Sequence, residues 1–148
     1  MRDPDLASRR LRTWIRLLRL TRATENHLRE YLRVNHDTTL PRFDVMAALY
    51  RSEGPMKMSM LSRQLLVSNG NATAVVERLE KEQLAQRSPD QADRRVVLVE
   101  LTDKGRAEFE TQAAAHRAEV DRLFAMLTDT ELDALRDLLH RMEGDSDA

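Results

Sequence analysis

The sequence predicts a mainly α fold, of class α+β, with one small β-hairpin set into a run of helices. Three observations carry this. Gly and Pro number only four each in 148 residues, so turn signals are sparse. Apolar residues recur at helical spacing over most of the length. One run, Val96-Val97-Leu98-Val99-Glu100-Leu101, is β-branched enough to break that period. The expected element order is α-α-α-α-β-β-α-α.

Residues 5–35 read as one long helix, with Leu11, Trp14, Ile15, Leu18, Leu28, Tyr31 and Leu32 at near-helical spacing. Arg9, Arg12, Arg16 and Arg19 fill its other faces. The segment 36–41 breaks it, and Pro41 suits the first turn of the next helix. That helix, residues 41–51, buries Phe43, Met46, Ala47 and Tyr50, and Ser52-Glu53-Gly54-Pro55 stops it. Ser59 reads as the N-cap of a short helix carrying Leu61, Leu65 and Leu66. Val67-Ser68-Asn69 is a turn, and residues 71–83 are a helix with Val75, Val76 and Leu79 inward. Residues 84–88 and 96–101 are strands around a tip at 89–95. Thr102 caps a further long helix with Phe109, Ala113, Val120, Leu123 and Leu127 on one stripe. Thr128 and Glu131 have the spacing of a capping box, opening a last helix with Leu132, Leu135, Leu138, Leu139 and Met142.

Composition bounds the function. Hydrophobic residues at 41% and charged residues at 33% exclude a disordered chain. The absence of cysteine excludes disulfides, thiolate metal sites and thiol redox sensing. No apolar run approaches the roughly 20 residues of a membrane span, and residues 1–10 lack the apolar core of a signal peptide. The expectation is a cytoplasmic protein with no membrane partner. The net charge of −1 hides an uneven distribution. Residues 1–34 hold nine Arg against four acids, and residues 57–106 hold nine Lys and Arg against seven acids. Residues 107–148 hold four Arg against eleven acids. A basic front with an acidic tail suits a polyanionic partner better than the total suggests.

A short helix, a turn, a second helix and a hairpin, in that order, form a winged helix-turn-helix over residues 41–101. Its expected partner is double-stranded DNA. The second helix opens on short polar residues, Ser68, Asn69, Gly70, Asn71 and Thr73, which permit close approach to backbone and phosphates. Asn71 offers a donor and an acceptor to a base edge, and Arg78 lies further along the same helix. Ser68 and Asn69 read equally well as simple caps, and Arg78 as the ion-pair partner of Glu77 or Glu82. On the hairpin tip, Arg94 is placed for the minor groove, with Arg95 beside it. Asp93 is odd there unless it shapes the wing by pairing with Arg87 or Arg95.

No catalytic constellation is present: four His (27, 36, 116 and 140) stand without a nucleophile elbow or a Gly-rich phosphate loop. No cofactor and no metal site are expected. The pairs His116/Glu119 and His140/Glu143 leave a metal-responsive regulator as an alternative, and a helical scaffold for protein partners as another. The helices at 5–35 and 102–143 are apolar over more surface than a small module covers. They are therefore expected to pair with a second copy, giving a homodimer that reads two half-sites.

On these residues the chain resembles the MarR (multiple antibiotic resistance regulator) family along residues 1–148, as one domain. The Asp93-Arg94-Arg95 wing, followed after a strand by Leu101-Thr102 and Gly105, carries the resemblance most specifically. It implies a homodimer with interleaved terminal helices on a palindromic operator, usually as a repressor. Carried over, Ser68, Asn69, Asn71, Ala72 and Thr73 fall on the recognition helix and Arg94 on the wing. Gln83 departs from the family's usual Gly, so a looser left-handed turn is expected there. The stretches 39–51 and 67–73 resemble a subgroup tied to aromatic-compound catabolism, which implies an aromatic acid or its coenzyme A thioester as effector. In similar proteins effectors lodge between dimer helices and winged module. That implies Trp14, Leu18, Arg42, Phe43, Met46, Tyr50, Phe109 and His116, with Arg42 as the cation. Ordinary core packing is the competing role for the aromatics.

Overall fold

Asp5 accepts a hydrogen bond from Ser8 N at 2.7 Å and so begins α1, Leu6–His36. The computed structural model describes residues 5–65 and 71–144. Asp37, in left-handed conformation (φ 47°, ψ 41°), ends α1 by donating its N–H to Leu32 O. Thr39 then caps α2, Leu40–Arg51, by accepting from Arg42 N at 3.2 Å, with Pro41 in the first turn. Phe43, Val45, Met46, Ala48 and Leu49 on α2 are all buried, so this helix is the centre of the core.

The next elements are β1 (Met56–Lys57), α3 (Met58–Gln64), α4 (Ala72–Lys81), β2 (Ala85–Pro89) and β3 (Val97–Leu101). The hairpin is thus part of a three-stranded antiparallel sheet, ordered β1-β3-β2. β1 was not expected: two residues show no alternation, and Met56 pairs with Val99, far along the chain. That pairing also displaces the expected cap. Lys57 stays extended in the strand, α3 starts at the next residue, and Ser59 lies inside the helix. Leu61, Val76, Leu79 and Val99 are fully buried and join α3, α4 and the sheet to α2. The expected turn at 67–69, and Leu66, lie outside the described residues.

The C-terminal end of α4 is tightly built. Gln83 N donates to Glu80 O at 3.0 Å and Leu84 N to Leu79 O at 2.8 Å, the two bonds of a Schellman motif. Gln83 takes φ 61°, so the turn is left-handed without glycine, contrary to the looser cap expected from the sequence. Leu84 O accepts from Thr102 N at 3.1 Å, and Thr102 Oγ1 donates to Gln83 O at 2.6 Å. The same hydroxyl accepts from Gly105 N at 3.0 Å and caps α5, Asp103–Phe124. A Cβ on Gly105 would lie 1.9 Å from Leu84 O, so only glycine fits. In α6, Asp129–Gly144, Thr128 and Glu131 form the predicted capping box, with bonds of 3.0 and 3.2 Å.

The chain divides into two compact units, residues 1–116 and 117–148. In the first, Leu6, Leu11, Trp14, Ile15 and Leu20 on α1 face solvent. In the second, α6 buries none of its described residues, and Leu132, Leu138, Leu139 and Met142 are exposed.

Two substitutions test the junction after α4 by urea denaturation. Gly105→Ala is expected to lose about 3 kcal/mol or more, because backbone at Leu84 must move. Gln83→Gly is expected to gain about 0.5–1 kcal/mol by relieving a left-handed non-glycine residue.

Candidate nucleic-acid interface

Asn71 is the N-cap of α4: its Oδ1 accepts from Thr73 N at 3.1 Å. That bond uses the side-chain oxygen and leaves the amide nitrogen for other partners. The outward face of α4 carries Asn71, Thr73, Ala74, Glu77 and Arg78, all exposed. Ala72 points inward at 6% exposure and belongs to the core, so it adds no contact surface. Arg78 Nε lies 4.0 Å from Glu82 Oε1, a loose pairing that leaves its side chain 72% exposed. Ser68, Asn69 and Gly70 lie outside the described residues.

The wing tip is held by its own aspartates. Asp90 Oδ1 accepts from Ala92 N at 3.1 Å, and Asp90 N donates to Val96 O at 2.9 Å. Asp93 receives a two-toothed fork from Arg95, with Nε at 3.1 Å and Nη2 at 3.2 Å, together with Arg95 N. Hydrogen bonds from the Arg95 side chain, and then from its backbone, hold the Asp93 carboxyl below the usual carboxylate range. Of the two partners open for Asp93, Arg95 is therefore the one it takes. Arg87 turns the other way, to Glu80 at 3.0 Å and Glu77 at 3.9 Å, and ties β2 to α4. Arg94 is exposed, and no acidic partner holds it among the described residues.

A pocket of about 580 Å³ adjoins this face. Arg29 and Arg33 of α1, residues 38–42 at the start of α2, and Asn71, Ala74, Val75 and Arg78 of α4 line it. Four of these are arginines. Arg29 is held by Glu25 and Arg33 by Glu30, whereas Arg42 reaches across to Glu82. Arg42 Nε and Thr38 Oγ1 are buried without a hydrogen-bond partner.

Of the eight residues expected around an effector, Arg42 alone lines this pocket. Phe43, Met46 and Phe109 are core residues. Phe43 lies 5.3 Å from Phe109 and 4.5 Å from the His116 ring, stacked, while Tyr50 lies 5.0 Å from Phe109. This aromatic cluster fastens α5 to α2, and burial lowers the His116 pKa. Tyr50 OH donates to Glu110 at 3.0 Å, with the Arg106 guanidinium over its ring. Trp14, 56% exposed, and Leu18 sit on α1 away from the pocket lining. Of the chain's few aromatic residues, Phe43 and Phe109 lie in the core. The pocket arginines Arg29 and Arg33 were legible only as an i, i+4 pair. Among the described residues, no group of three or more His, Asp or Glu is placed to hold a metal ion. No helix there is long and apolar enough to cross a membrane.

Comparison with known proteins agrees with this geometry. Residues 38–97 match the model of the MarR family. The HTH-type transcriptional regulator MhqR of Bacillus subtilis is 26% identical over 137 residues, 93% of each chain. The uncharacterized HTH-type transcriptional regulator YkoM of the same organism is 33% identical over 106 residues, covering 72% of this chain and 68% of its own. The crystal structure of a mutant MarR from E. coli complexed with operator DNA superposes with a TM-score of 0.77. It is 26% identical over 94% of this chain and 99% of that one. The chain belongs to the MarR family and is a winged helix-turn-helix transcriptional regulator, not an enzyme.

Proposed function

We propose that the protein is a homodimeric repressor that binds a palindromic operator and is released by a small organic acid. The observation that carries DNA reading is the exposed polar face of α4 beside a wing whose own ion pair leaves Arg94 unengaged. Asn71, Thr73 and Arg78, with Ser68, Asn69 and Gly70 before them, enter the major groove. Arg94 contacts the minor groove, and Arg95 braces the tip through Asp93.

Dimerisation accounts for the outward apolar faces. Trp14, Ile15 and Leu11 on α1, and Leu138, Leu139 and Met142 on α6, have no cover within their own units. A second copy supplies that cover and places two recognition helices about 10 base pairs apart. Where such an operator overlaps a promoter, its occupancy excludes polymerase, which is repression.

The effector reading rests on the four-arginine pocket. Its volume suits a small aromatic acid, or the acyl end of an aromatic coenzyme A thioester. Asn71 and Arg78 belong both to this pocket and to the DNA-facing helix, so a ligand there acts on the reading surface directly. Release then requires only that the ligand bind the DNA-free arrangement better.

Three measurements check this reading. Arg94→Ala is expected to weaken binding to operator and random duplex alike and to lower the log–log salt slope by roughly 0.9, one phosphate contact. Asn71→Ser keeps a capping oxygen but loses the amide. It is expected to lose about 1–3 kcal/mol on the operator and little on random duplex; equal losses contradict base reading. Sedimentation at micromolar concentration is expected to give twice the 17.1 kDa chain mass, and a monomer contradicts the dimer.

A further inference from the structure

Glu82 ends α4, and its carboxylate faces two guanidinium groups. Arg42, from the first turn of α2, donates Nη2 to Glu82 Oε2, while Arg78 Nε lies 4.0 Å from Oε1. Both arginines line the 580 Å³ pocket. Two of its four cations therefore share one carboxylate, that of Glu82.

The partners of the main pair differ in freedom. The Arg42 side chain is 12% exposed and that of Glu82 41%. Withdrawing the carboxylate without replacement leaves a nearly buried cation unpaired, which is strongly unfavourable. Exchanging it for another carboxylate keeps Arg42 paired throughout, and the half-exposed Glu82 relaxes into water. The pair therefore resists simple opening and permits exchange with an anion.

The hydrogen bonds favour such an exchange. Glu82 engages Nη2 of Arg42 and leaves the buried Nε without a partner. A free carboxylate taking Nε and Nη2 together forms the two-toothed contact that Glu82 does not make. Thr38 Oγ1, also buried and unpartnered, adds a further donor. Leu40, Pro41 and Val75 supply apolar walls for the body of an organic acid.

We propose that Glu82 is an internal pseudo-ligand, and that a small organic carboxylate regulates the protein by displacing it from Arg42. This rests on the effector reading above and names its coupling residue. The exchange unties the C-terminal end of α4 from α2, one residue before the left-handed turn that leads into the wing. An anion that binds only after Glu82 has left binds the wild type more weakly than a chain lacking that carboxylate.

Calorimetric titration of the full chain with benzoate, and with neutral benzamide, tests this. Glu82→Gln is expected to bind benzoate about tenfold more tightly than wild type, as when the competitor holds the site roughly nine-tenths of the time. Arg42→Lys is expected to bind it more weakly, and benzamide to bind neither chain. Equal or weaker benzoate affinity in Glu82→Gln, absent binding in both chains, or equal binding of benzamide overturns the proposal. Should the variants fold poorly, the Arg42 Nε–H resonance of wild type reads the same event. Benzoate is expected to shift it, and an unmoved resonance overturns the proposal. Duplex binding of wild type without benzoate is measured in parallel. Retained duplex binding with Glu82-independent benzoate affinity removes this inference alone. Loss of duplex binding beside intact exchange removes the DNA reading alone.

Discussion

The close approach of Gly105 to the Leu84 carbonyl is the constraint on which the winged module depends. At this one junction α4 ends, β2 begins and α5 opens. Leu84 O receives Thr102 N, and the Thr102 hydroxyl bridges Gln83 O to Gly105 N. Lys104 Nζ adds a bond to Glu82 O at 3.0 Å. A side chain at position 105 would push these apart. Because the strands leave directly from this junction, the wing inherits its direction from the end of the recognition helix. Leu101-Thr102 and Gly105, which with the Asp93-Arg94-Arg95 wing point most specifically to the family, are thus the packing of that joint.

Two arginines from outside α4 brace that helix through ion pairs. Arg87 holds Glu80 and Glu77 from β2, and Arg42 holds Glu82 from α2. Pairs such as Arg33–Glu30 and Arg136–Asp133 join near neighbours on exposed helix faces. Those contribute little beyond solubility. Arg87 fixes α4 to the wing, whereas Arg42 sits in a pocket and shares its partner with Arg78. One brace is structural, and the other stands where a ligand has access. Rigidity between helix and wing, with adjustability between helix and core, is what a regulated DNA reader requires.

Local chemistry was legible in the sequence, and long-range partnership was not. Thr102, Thr128 with Glu131, Pro41 and the run 96–101 each announce an element through effects spanning a few residues, and the structure places those elements accordingly. β1 escaped because two residues carry no period and its partner lies beyond α4. Ser59 misled because strand pairing at Lys57 overrode a capping preference. Gln83 is left-handed because the Schellman bonds and the Thr102 hydroxyl hold it there, against its own preference. The site shows the same division. For Asp93 the sequence offered Arg87 or Arg95, both near in the chain, and the structure takes Arg95. Arg42 and Glu82, forty residues apart, could not be paired from the sequence, and Phe43 and Phe109, two of the aromatic residues named for a ligand, lie in the core.

Selection of duplexes from a random pool by the full chain tests the central claim most directly. Two copies presenting α4 with a wing beside it predict enrichment of an inverted repeat, with half-sites about one helical turn apart. They also predict footprint protection in two successive major grooves, with minor-groove protection flanking them. Recovery of no inverted repeat, with retention no better than that of scrambled duplex at moderate salt, contradicts the account.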